Sequence, residues 1–383
     1  MTLNEICSDL EGRIKYLSEN ESNRDIYELH IFFKMITEVV SFYNKFFALD
    51  IFEVFVSLIQ AQKNTPDILT IAALELRHRG ELEAAAMLLD RAGELDRTVP
   101  YIRALAADVL RELGKCEEAR TRCNELLLEF PRLVDVDSCL TMCDVNDLMA
   151  CKYDYYQLLD YAHRMLKPKS YIEIGVSTGK SLALARSGTS AVGVDPNAAN
   201  TANHFFHSPE VDPQLFPMTS NDFFRNVTIS SLFGVPTFDM AFIDGLHVFE
   251  QALMDFVNLE NLSTKNSVVF IHDCLPVTTL TAERERQTGF WTGDVWRVVA
   301  CLKAVRPDLE IVTFPASPSG LAMVTNLDST SRLLAQQFDS IVAHFITMPL
   351  PESFAERCEL LNVTRNSHME YIGKWISSRP SVN

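Results

Sequence analysis

The segment YIEIGVSTGKS, residues 171–181, decides the fold of the second half of this chain. Its first five residues predict a short strand, and a turn containing Gly175 and Gly179 leads into a predicted helix through Arg186. Glycine allows a sharp turn and lets a ligand approach the backbone closely. The spacing E-x-G-x-x-x-G is neither the dinucleotide-binding fingerprint nor a P-loop. The loop therefore favours a ligand without phosphates.

Short strands alternate with helices after residue 168. Three further predicted strands are continuous apolar runs, as in a parallel sheet buried on both faces: AVGVD (191–195), FDMAFID (238–244) and SVVFIHD (267–273). The last two, LEIVTF (309–314) and LAMVTN (321–326), are joined by PASPSG, which is too short for a crossover helix. We predict an α/β, Rossmann-like sheet that is parallel with a terminal antiparallel hairpin.

Residues 1–150 show a helical pattern, with apolar residues every three or four positions. Two similar segments begin at Arg79 and Leu113, and their glycines, Gly80 and Gly114, lie 34 residues apart. This period resembles the tetratricopeptide repeat, in which each repeat is a helix hairpin. The resemblance implies an all-α tetratricopeptide-like helical domain with repeats at about 66–99 and 100–133.

A carboxylate ends the second predicted strand: Asp195 lies twenty residues after Gly175. A carboxylate at this position can accept hydrogen bonds from ribose hydroxyls. With the glycine loop and the terminal hairpin, it resembles motif I and the acidic residue of class I S-adenosylmethionine-dependent methyltransferases. The resemblance implies S-adenosylmethionine as cofactor, with Glu173 near its amino-acid end and Asp222 near its adenine amine. The implied cofactor-binding residues are Glu173, Gly175, Ser177, Gly179, Ser181, Asp195, Asp222 and Asp244.

The alternative interpretation of this region is an ordinary glycine-containing turn followed by an acidic strand end. Such turns occur in many α/β proteins. The domains expected from the whole chain are the helical domain at 1–150, the methyltransferase domain at 151–330 and C-terminal helices with a tail at 331–383.

The fourth and fifth predicted strands end in chemistry-bearing side chains. IDGLH brings Asp244 and His247, and IHD brings His272 and Asp273. Ligands bind at the carboxyl ends of such strands, so we expect these four side chains to converge. Two carboxylates suit Mg²⁺, whereas an imidazole ligand favours a transition metal. Asp244, His272 and Asp273 are the metal candidates, and His247 is the candidate general base.

Asp244, His247 and Asp273 resemble the metal-dependent O-methyltransferases of the macrocin and mycinamicin group. That family has an Asp at the end of strand four, a catalytic His three residues later and an acidic pair after strand five. The resemblance covers about residues 165–330 and implies catalytic roles for His247 and Asp244. His272 departs from the family, which often has an acidic residue there. Alternatively, Asp244 caps a helix or orients the cofactor without any metal, and His247 faces solvent.

The segment GFWTGDVWR, residues 289–297, combines two tryptophans with flanking glycines. Trp291 and Trp296 offer flat apolar faces, and Asp294 and Arg297 offer charge. These four residues are candidates for a substrate-covering lid that excludes water. The alternative is a helix start, with Asp294 near its N-terminus and Trp296 in the core.

The composition narrows the choice of partners. The chain has 383 residues, and 34 basic against 51 acidic residues give a net charge of −17. Such a charge repels phosphate backbones and anionic lipid, so neither nucleic acid nor a membrane is expected. The N-terminal MTLNEICSDL lacks the pattern of a secretory signal. The nine irregularly spaced cysteines indicate reduced thiols in a cytoplasmic protein.

Taken together, these patterns predict a methyltransferase that methylates a hydroxyl of a sugar or secondary metabolite with help from a divalent cation. The closest rival is an N-methyltransferase acting on an amine or amino-acid-derived natural product. A rival of another class is a tetratricopeptide interaction protein with a degenerate methyltransferase domain. We also expect the helical domain to support homo-oligomer formation or a protein partner.

Overall fold

The computed structural model describes the residues 65–131, 133–149, 152–198, 212–364 and 368–379. The described chain divides into two units, of which the first ends at Cys143 and the second begins at Asp144. Within the described residues, no helix combines the length and apolar character that a membrane span requires.

The first unit consists of helices that repeat with a 34-residue offset. Its helices are α1 (Pro66–His78), α2 (Leu82–Leu95), α3 (Pro100–Glu112), α4 (Cys116–Glu129) and α5 (Val134–Leu148), the last of which runs five residues into the second unit. Gly80 and Gly114 end equivalent helices with left-handed φ angles of 81° and 77°, a conformation that glycine adopts without strain. The structural repeat coincides with the sequence repeat, and its assignment to the tetratricopeptide family stays a prediction.

Small and apolar side chains fill the spaces between these helices. Ala73, Ala85 and Ala92 pack between α1, α2 and α3. Cys123, Cys139 and Cys143 are buried in the core between α4 and α5, where all three are free thiols. A buried free cysteine behaves as a small apolar side chain, and the expected reduced state of the cysteines stays a prediction.

The second unit is built on a seven-stranded sheet with the order β3-β2-β1-β4-β5-β7-β6. The strands are β1 (Ser170–Ile174), β2 (Ser190–Val194), β3 (Gln214–Phe216), β4 (Met240–Ile243), β5 (Val268–His272), β6 (Glu310–Phe314) and β7 (Leu321–Thr325). All neighbours are parallel except the two pairs that β7 forms with β5 and β6. The predicted α/β sheet with a terminal antiparallel hairpin is therefore confirmed.

Nine helices belong to the described part of this unit. They are α6 (Tyr155–Leu166), α7 (Ser220–Asn226), α8 (Ile229–Phe233), α9 (Phe249–Asn261), α10 (Trp296–Val305), α11 (Leu333–Gln336), α12 (Phe338–Phe345), α13 (Phe354–Leu360) and α14 (His368–Ser378). The central strands β1, β4 and β5 are buried along their whole length, because helices cover the sheet. The chain reverses its strand order between β1 and β4, and ligands bind outside the carboxyl ends of strands at such a point.

The prediction of a helix after the glycine loop is wrong. Only a short 3₁₀ turn, Leu182–Leu184, follows β1 before β2 begins. Ser177 and Gly179 both have positive φ angles, of 46° and 81°, so the loop uses the residues that would have formed the first helical turn. Ala185 is already extended and ends the 3₁₀ turn.

Candidate active site

The glycine loop lies against the end of β4. Gly175 has a φ of 87°, and a Cβ atom built on it would lie 2.0 Å from the carbonyl oxygen of Asp244. Only glycine tolerates both the left-handed backbone and this close approach. The predicted loop residue therefore joins the carboxyl ends of β1 and β4 at the point where the strand order reverses.

Glu173 is a fully buried carboxyl group within β1. Its Oε2 accepts a hydrogen bond from the Tyr171 hydroxyl at 2.6 Å, and its Oε1 accepts one from Ser181 Oγ at 2.7 Å. Burial raises the pKa of Glu173 to about 8, in spite of these two donors. The carboxyl group is therefore largely protonated at neutral pH.

Asp195 follows β2 and fastens the glycine loop. Its Oδ2 accepts hydrogen bonds from the backbone N–H groups of Val176 at 2.9 Å and Ser177 at 3.0 Å. Its Oδ1 accepts one from Asn197 N at 2.7 Å. The carboxylate thus stands at the predicted strand end and also organises the loop backbone.

Asp222 lies in the first turn of α7, after the short strand β3. It accepts hydrogen bonds from Thr219 Oγ1 at 2.8 Å and from Arg225 Nη1 at 3.2 Å. Its side chain is about half exposed. The structure therefore leaves part of this carboxylate accessible, while its predicted role at the adenine amine stays a prediction.

The four side chains that follow β4 and β5 do converge. His247 Nε2 lies 3.0 Å from Asp273 Oδ2 and 3.6 Å from Asp244 Oδ1. His272 Nδ1 lies 3.2 Å from Asp244 Oδ1 and 3.5 Å from Asp273 Oδ2. Asp273 has a φ of 54°, an uncommon backbone conformation for a residue other than glycine that turns the chain as β5 ends.

The imidazole of His247 has one engaged and one available nitrogen. Its Nδ1 lies 3.0 Å from the carbonyl oxygen of Trp291, which can only accept, so Nδ1 carries the proton. The Trp291 ring stacks on the imidazole with centroids 5.3 Å apart. Burial opposes the charged form, but the carboxylates of Asp273 and Asp244 outweigh it and raise the pKa of His247 to about 9.

His272 uses both of its ring nitrogens. Nδ1 faces Asp244, and Nε2 lies 3.3 Å from Ser319 Oγ. Burial opposes its charged form as well, yet Asp273 and Asp244 raise the pKa of His272 to about 10. In return, although burial would raise it, the two imidazoles hold the pKa of Asp244 below its usual range.

The structure adds His247 to the candidate metal ligands, and the predicted role of His272 as a ligand stays a prediction. Among the described residues, Asp244, His247 and Asp273 are the group whose ligand atoms all lie within 4.8 Å of one another, and His272 is outside it. Two carboxylate oxygens and one imidazole nitrogen fit a divalent cation. Because Nδ1–H is held by Trp291, Nε2 is the nitrogen of His247 that would have to give up its proton to ligate a cation.

Only part of the predicted lid segment can contact a substrate. Trp291 is half-buried, and its Nε1 donates to the carbonyl oxygen of Glu283 at 2.6 Å. Asp294 and Trp296 are completely buried, so their predicted contact with substrate is wrong in this conformation. Trp296 is the first residue of α10 and packs in the core, as the alternative interpretation stated.

Asp294 holds several segments together instead. Its Oδ1 accepts a hydrogen bond from Phe249 N at 2.7 Å, which caps the start of α9. Its Oδ2 accepts from Arg284 at 2.6 Å and from Arg297 at 3.0 Å. Arg297 also donates to the carbonyl oxygen of Phe345. These partners satisfy the charges of Asp294 and Arg297 within the fold.

Sequence reasoning missed Tyr155 and Ser319. Tyr155 lies at the start of α6 with its ring centroid 4.0 Å from that of His272. Ser319 belongs to the PASPSG link between β6 and β7. Leu321 pairs with His272, so the antiparallel hairpin itself places this link at the carboxyl end of β5. The position of Ser319 could have been inferred from that pairing, whereas nothing in the sequence pattern marked Tyr155.

Comparisons with known proteins agree with the fold. Residues 172–274, about a quarter of the chain, match a family model described as a methyltransferase domain. A search of curated protein sequences found no match.

Similar solved structures are distant. The O-methyltransferase TomG from Streptomyces achromogenes, solved with S-adenosylmethionine, is 16% identical, with 49% of this chain and 87% of that chain covered and a TM-score of 0.35. An O-methyltransferase from Bacillus cereus, solved with S-adenosylhomocysteine, is 15% identical, with 49% and 90% covered and a TM-score of 0.35. The methyltransferase PaMTH1 from Podospora anserina is 16% identical, with 57% and 94% covered and a TM-score of 0.34.

Identities and scores of this size assign no substrate. The assignment rests on the order of the seven strands, the antiparallel β7 and the matched domain at residues 172–274. The chain therefore has a Rossmann-like sheet, parallel with a terminal antiparallel hairpin, in which residues 172–274 match a methyltransferase domain.

Proposed function

We propose that this methyltransferase uses S-adenosylmethionine and transfers its methyl group to a hydroxyl oxygen of a small-molecule acceptor, with a divalent cation held by Asp244, His247 and Asp273. The observation that carries the proposal is the convergence of these three side chains within 4.8 Å of one another. They follow β4 and β5, and the Gly175 loop lies directly against Asp244. Cofactor loop and acceptor-activating groups therefore share one edge of the sheet.

The cofactor is assigned to the ends of β1 and β2. Gly175 lets the loop backbone lie against the end of β4, and Asp195 holds that backbone in place. Glu173 presents a buried carboxyl group that already accepts two hydroxyl donors at the same end of β1. These groups suit the polar amino-acid and ribose parts of S-adenosylmethionine, and none of them is a phosphate cradle.

A divalent cation at Asp244 and Asp273 would supply a Lewis acid that lowers the pKa of an acceptor hydroxyl. The two carboxylates orient the acceptor oxygen and balance the positive charge in this buried site. Trp291 fixes the tautomer of His247 through its carbonyl oxygen, so Nε2 is the nitrogen that serves the site. A single nitrogen cannot bind a cation and take a proton at once. In this mechanism the predicted base His247 would act as a ligand, and the acceptor hydroxyl would release its proton to solvent water.

His272 favours a second candidate function. It places a second imidazole within 3.2 Å and 3.5 Å of the two carboxylates. Two imidazolium groups balance two carboxylates without any cation. An amine acceptor needs no Lewis acid, because its neutral nitrogen is already nucleophilic. The alternative is metal-independent N-methylation, in which His247 in its neutral form, with Nε2 unprotonated, takes the proton that the methylated amine loses.

Binding measurements test the two parts of the proposal separately. Calorimetry should show binding of S-adenosylmethionine, and no binding at millimolar concentration would refute the cofactor assignment. Electron paramagnetic resonance should show one bound Mn²⁺ ion, and the substitution Asp273→Asn should raise the Kd for Mn²⁺ at least ten-fold. The matched control is Asp328→Asn, since Asp328 is exposed and outside the site. Formation of S-adenosylhomocysteine with amine acceptors that is insensitive to EDTA would favour the second candidate.

Only the sequence supports a class of acceptor and a type of pathway for this protein. The resemblance to the macrocin group supports a hydroxyl of a sugar or secondary metabolite, and a natural-product pathway follows from it. Buried free thiols in the helical unit fit a reducing compartment, so we propose a cytoplasmic location. We also propose that the helical unit binds a protein partner or a second copy of the chain.

A further inference from the structure

His272 is the most restrained side chain of the site. It is buried, and its two ring nitrogens contact Asp244 Oδ1 at 3.2 Å and Ser319 Oγ at 3.3 Å. These two contacts engage both nitrogens of His272 in this structure. Through the first of them, His272 can orient the Asp244 carboxylate.

The ring of Tyr155 covers one face of His272. The two ring centroids are 4.0 Å apart, with an angle of 34° between the planes. Phe242 of β4 meets the same imidazole edge-on, with centroids 6.1 Å apart. Tyr155 and Phe242 stack on each other at 6.3 Å. Two aromatic rings thus hold an imidazole whose nitrogens are already engaged, and the ring cannot turn without losing these contacts.

Tyr155 is itself fixed by the start of α6. Asp154 and Gln157 form a capping box around the first turn of this helix. The Tyr155 backbone N–H donates to the carbonyl oxygen of Ser317, at 3.3 Å, in the link between β6 and β7. Its ring also lies against that of Tyr156, with centroids 4.0 Å apart. The backbone of Tyr155 is therefore held both by the capped helix and by the link between β6 and β7.

We infer that Tyr155 is a positioning residue of the active site, which clamps His272 so that His272 holds the Asp244 carboxylate in its working orientation. The inference rests on the proposed function, because Asp244 is the ligand and acceptor-orienting group there. Tyr155 lies outside the matched domain at residues 172–274. Partners that orient a ligand from behind typically change metal affinity or activity ten- to a hundred-fold when they are lost.

Removing the ring but keeping its hydrophobicity separates the clamp from a general packing role. In Tyr155→Leu we expect the Kd for Mn²⁺ to rise at least ten-fold, while the Kd for S-adenosylmethionine stays within two-fold. Tyr155→Phe keeps the ring and should restore wild-type affinity for Mn²⁺. The matched control is Tyr161→Leu, which removes a partly buried ring from the same helix away from His272. Wild-type Mn²⁺ affinity in Tyr155→Leu would overturn the inference.

A metal-independent measurement keeps the clamp testable if the proposed cation site fails. Diethyl pyrocarbonate modifies accessible imidazole nitrogens, and mass spectrometry locates the modified histidine. His272 should stay unmodified in the wild type, Tyr155→Phe and Tyr161→Leu, and should become modified in Tyr155→Leu. If the wild type binds no Mn²⁺ but this pattern holds, the clamp stands and the cation site is refuted. Equal protection of His272 in all four proteins overturns the clamp.

Discussion

The buried imidazole of His163 should make the free energy of unfolding of the second (catalytic) unit depend on pH. One substitution should remove this dependence. His163 lies in α6, is completely buried, and has no hydrogen-bond partner on either ring nitrogen among the described residues. Its ring meets Tyr171 edge-on, with centroids 4.6 Å apart. Burial, assisted by the charge of Arg186, lowers the pKa of His163 from 6.5 to about 3.

The direction of the effect follows from which state binds the proton. As pH falls below 6.5, the unfolded chain takes up a proton while the folded protein does not, so the free energy of unfolding decreases. The contribution of His163 is complete above pH 6.5 and is lost as pH falls towards 3, at about 1.4 kcal/mol per pH unit. Between pH 7 and pH 5 this amounts to about 2 kcal/mol.

His163→Phe removes the titrating group and keeps an aromatic ring against Tyr171. Because the buried nitrogens lack partners, we also expect the variant to be more stable at pH 7, by about 1–2 kcal/mol. Urea unfolding followed by tryptophan fluorescence reports the right unit, since all three tryptophans follow residue 143. The stability difference between variant and wild type should widen by about 2 kcal/mol from pH 7 to pH 5.

The exposed His344 supplies the control, and His344→Phe should show no comparable change of its stability difference with pH. A constant difference between His163→Phe and the wild type would refute the reasoning. It would mean that the imidazole is hydrated or partnered in solution.

Three further predictions concern other parts of the catalytic unit. Gly175→Ala should abolish binding of S-adenosylmethionine in calorimetry, because its Cβ would meet backbone at 2.0 Å, whereas Gly188→Ala, with an equally positive φ but open space, should retain it. Asp294→Ala should lower the free energy of unfolding by about 3 kcal/mol or more, because it takes the carboxylate partner from the largely buried Arg297 and the acceptor from Phe249 N, while Asp328→Ala should change it by less than about 0.5 kcal/mol. Glu173→Gln should remove a loss of stability that the wild type shows as pH rises from 4.5 towards 8, since the raised pKa makes the folded state the stronger proton binder there. Equal pH profiles for the two proteins would contradict this last expectation.

Much of the sheet was predictable because its signals are local. Apolar runs such as those ending at Asp244 and Asp273 mark strands buried on both faces, and the short PASPSG link allows only an antiparallel pair. The absence of a helix after the glycine loop was not predictable in the same way. The residues of this segment are compatible with a helix, but the left-handed turns at Ser177 and Gly179 arise from the contact between the loop and the ends of β2 and β4.

The candidate site, too, was predictable in part. That Asp244, His247, His272 and Asp273 meet follows from strand ends and crossover lengths. The carbonyl oxygen of Trp291 holds Nδ1 of His247, and this contact turns Nε2 of the same ring towards the two carboxylates. Sequence spacing contains no information about that contact, since the two residues are 44 positions apart.

Local sequence patterns predicted the class of sheet, the loop that turns at Gly175 and the two acidic strand ends at one edge, because hydrophobic period and motif spacing depend on neighbouring residues. The roles of individual side chains followed only from the folded structure. It buried Asp294 beneath α9, engaged both nitrogens of His272 and placed Tyr155 over that ring. These outcomes depend on packing between segments far apart in the chain, where a shift of one ångström decides whether a side chain binds a ligand or holds its neighbour.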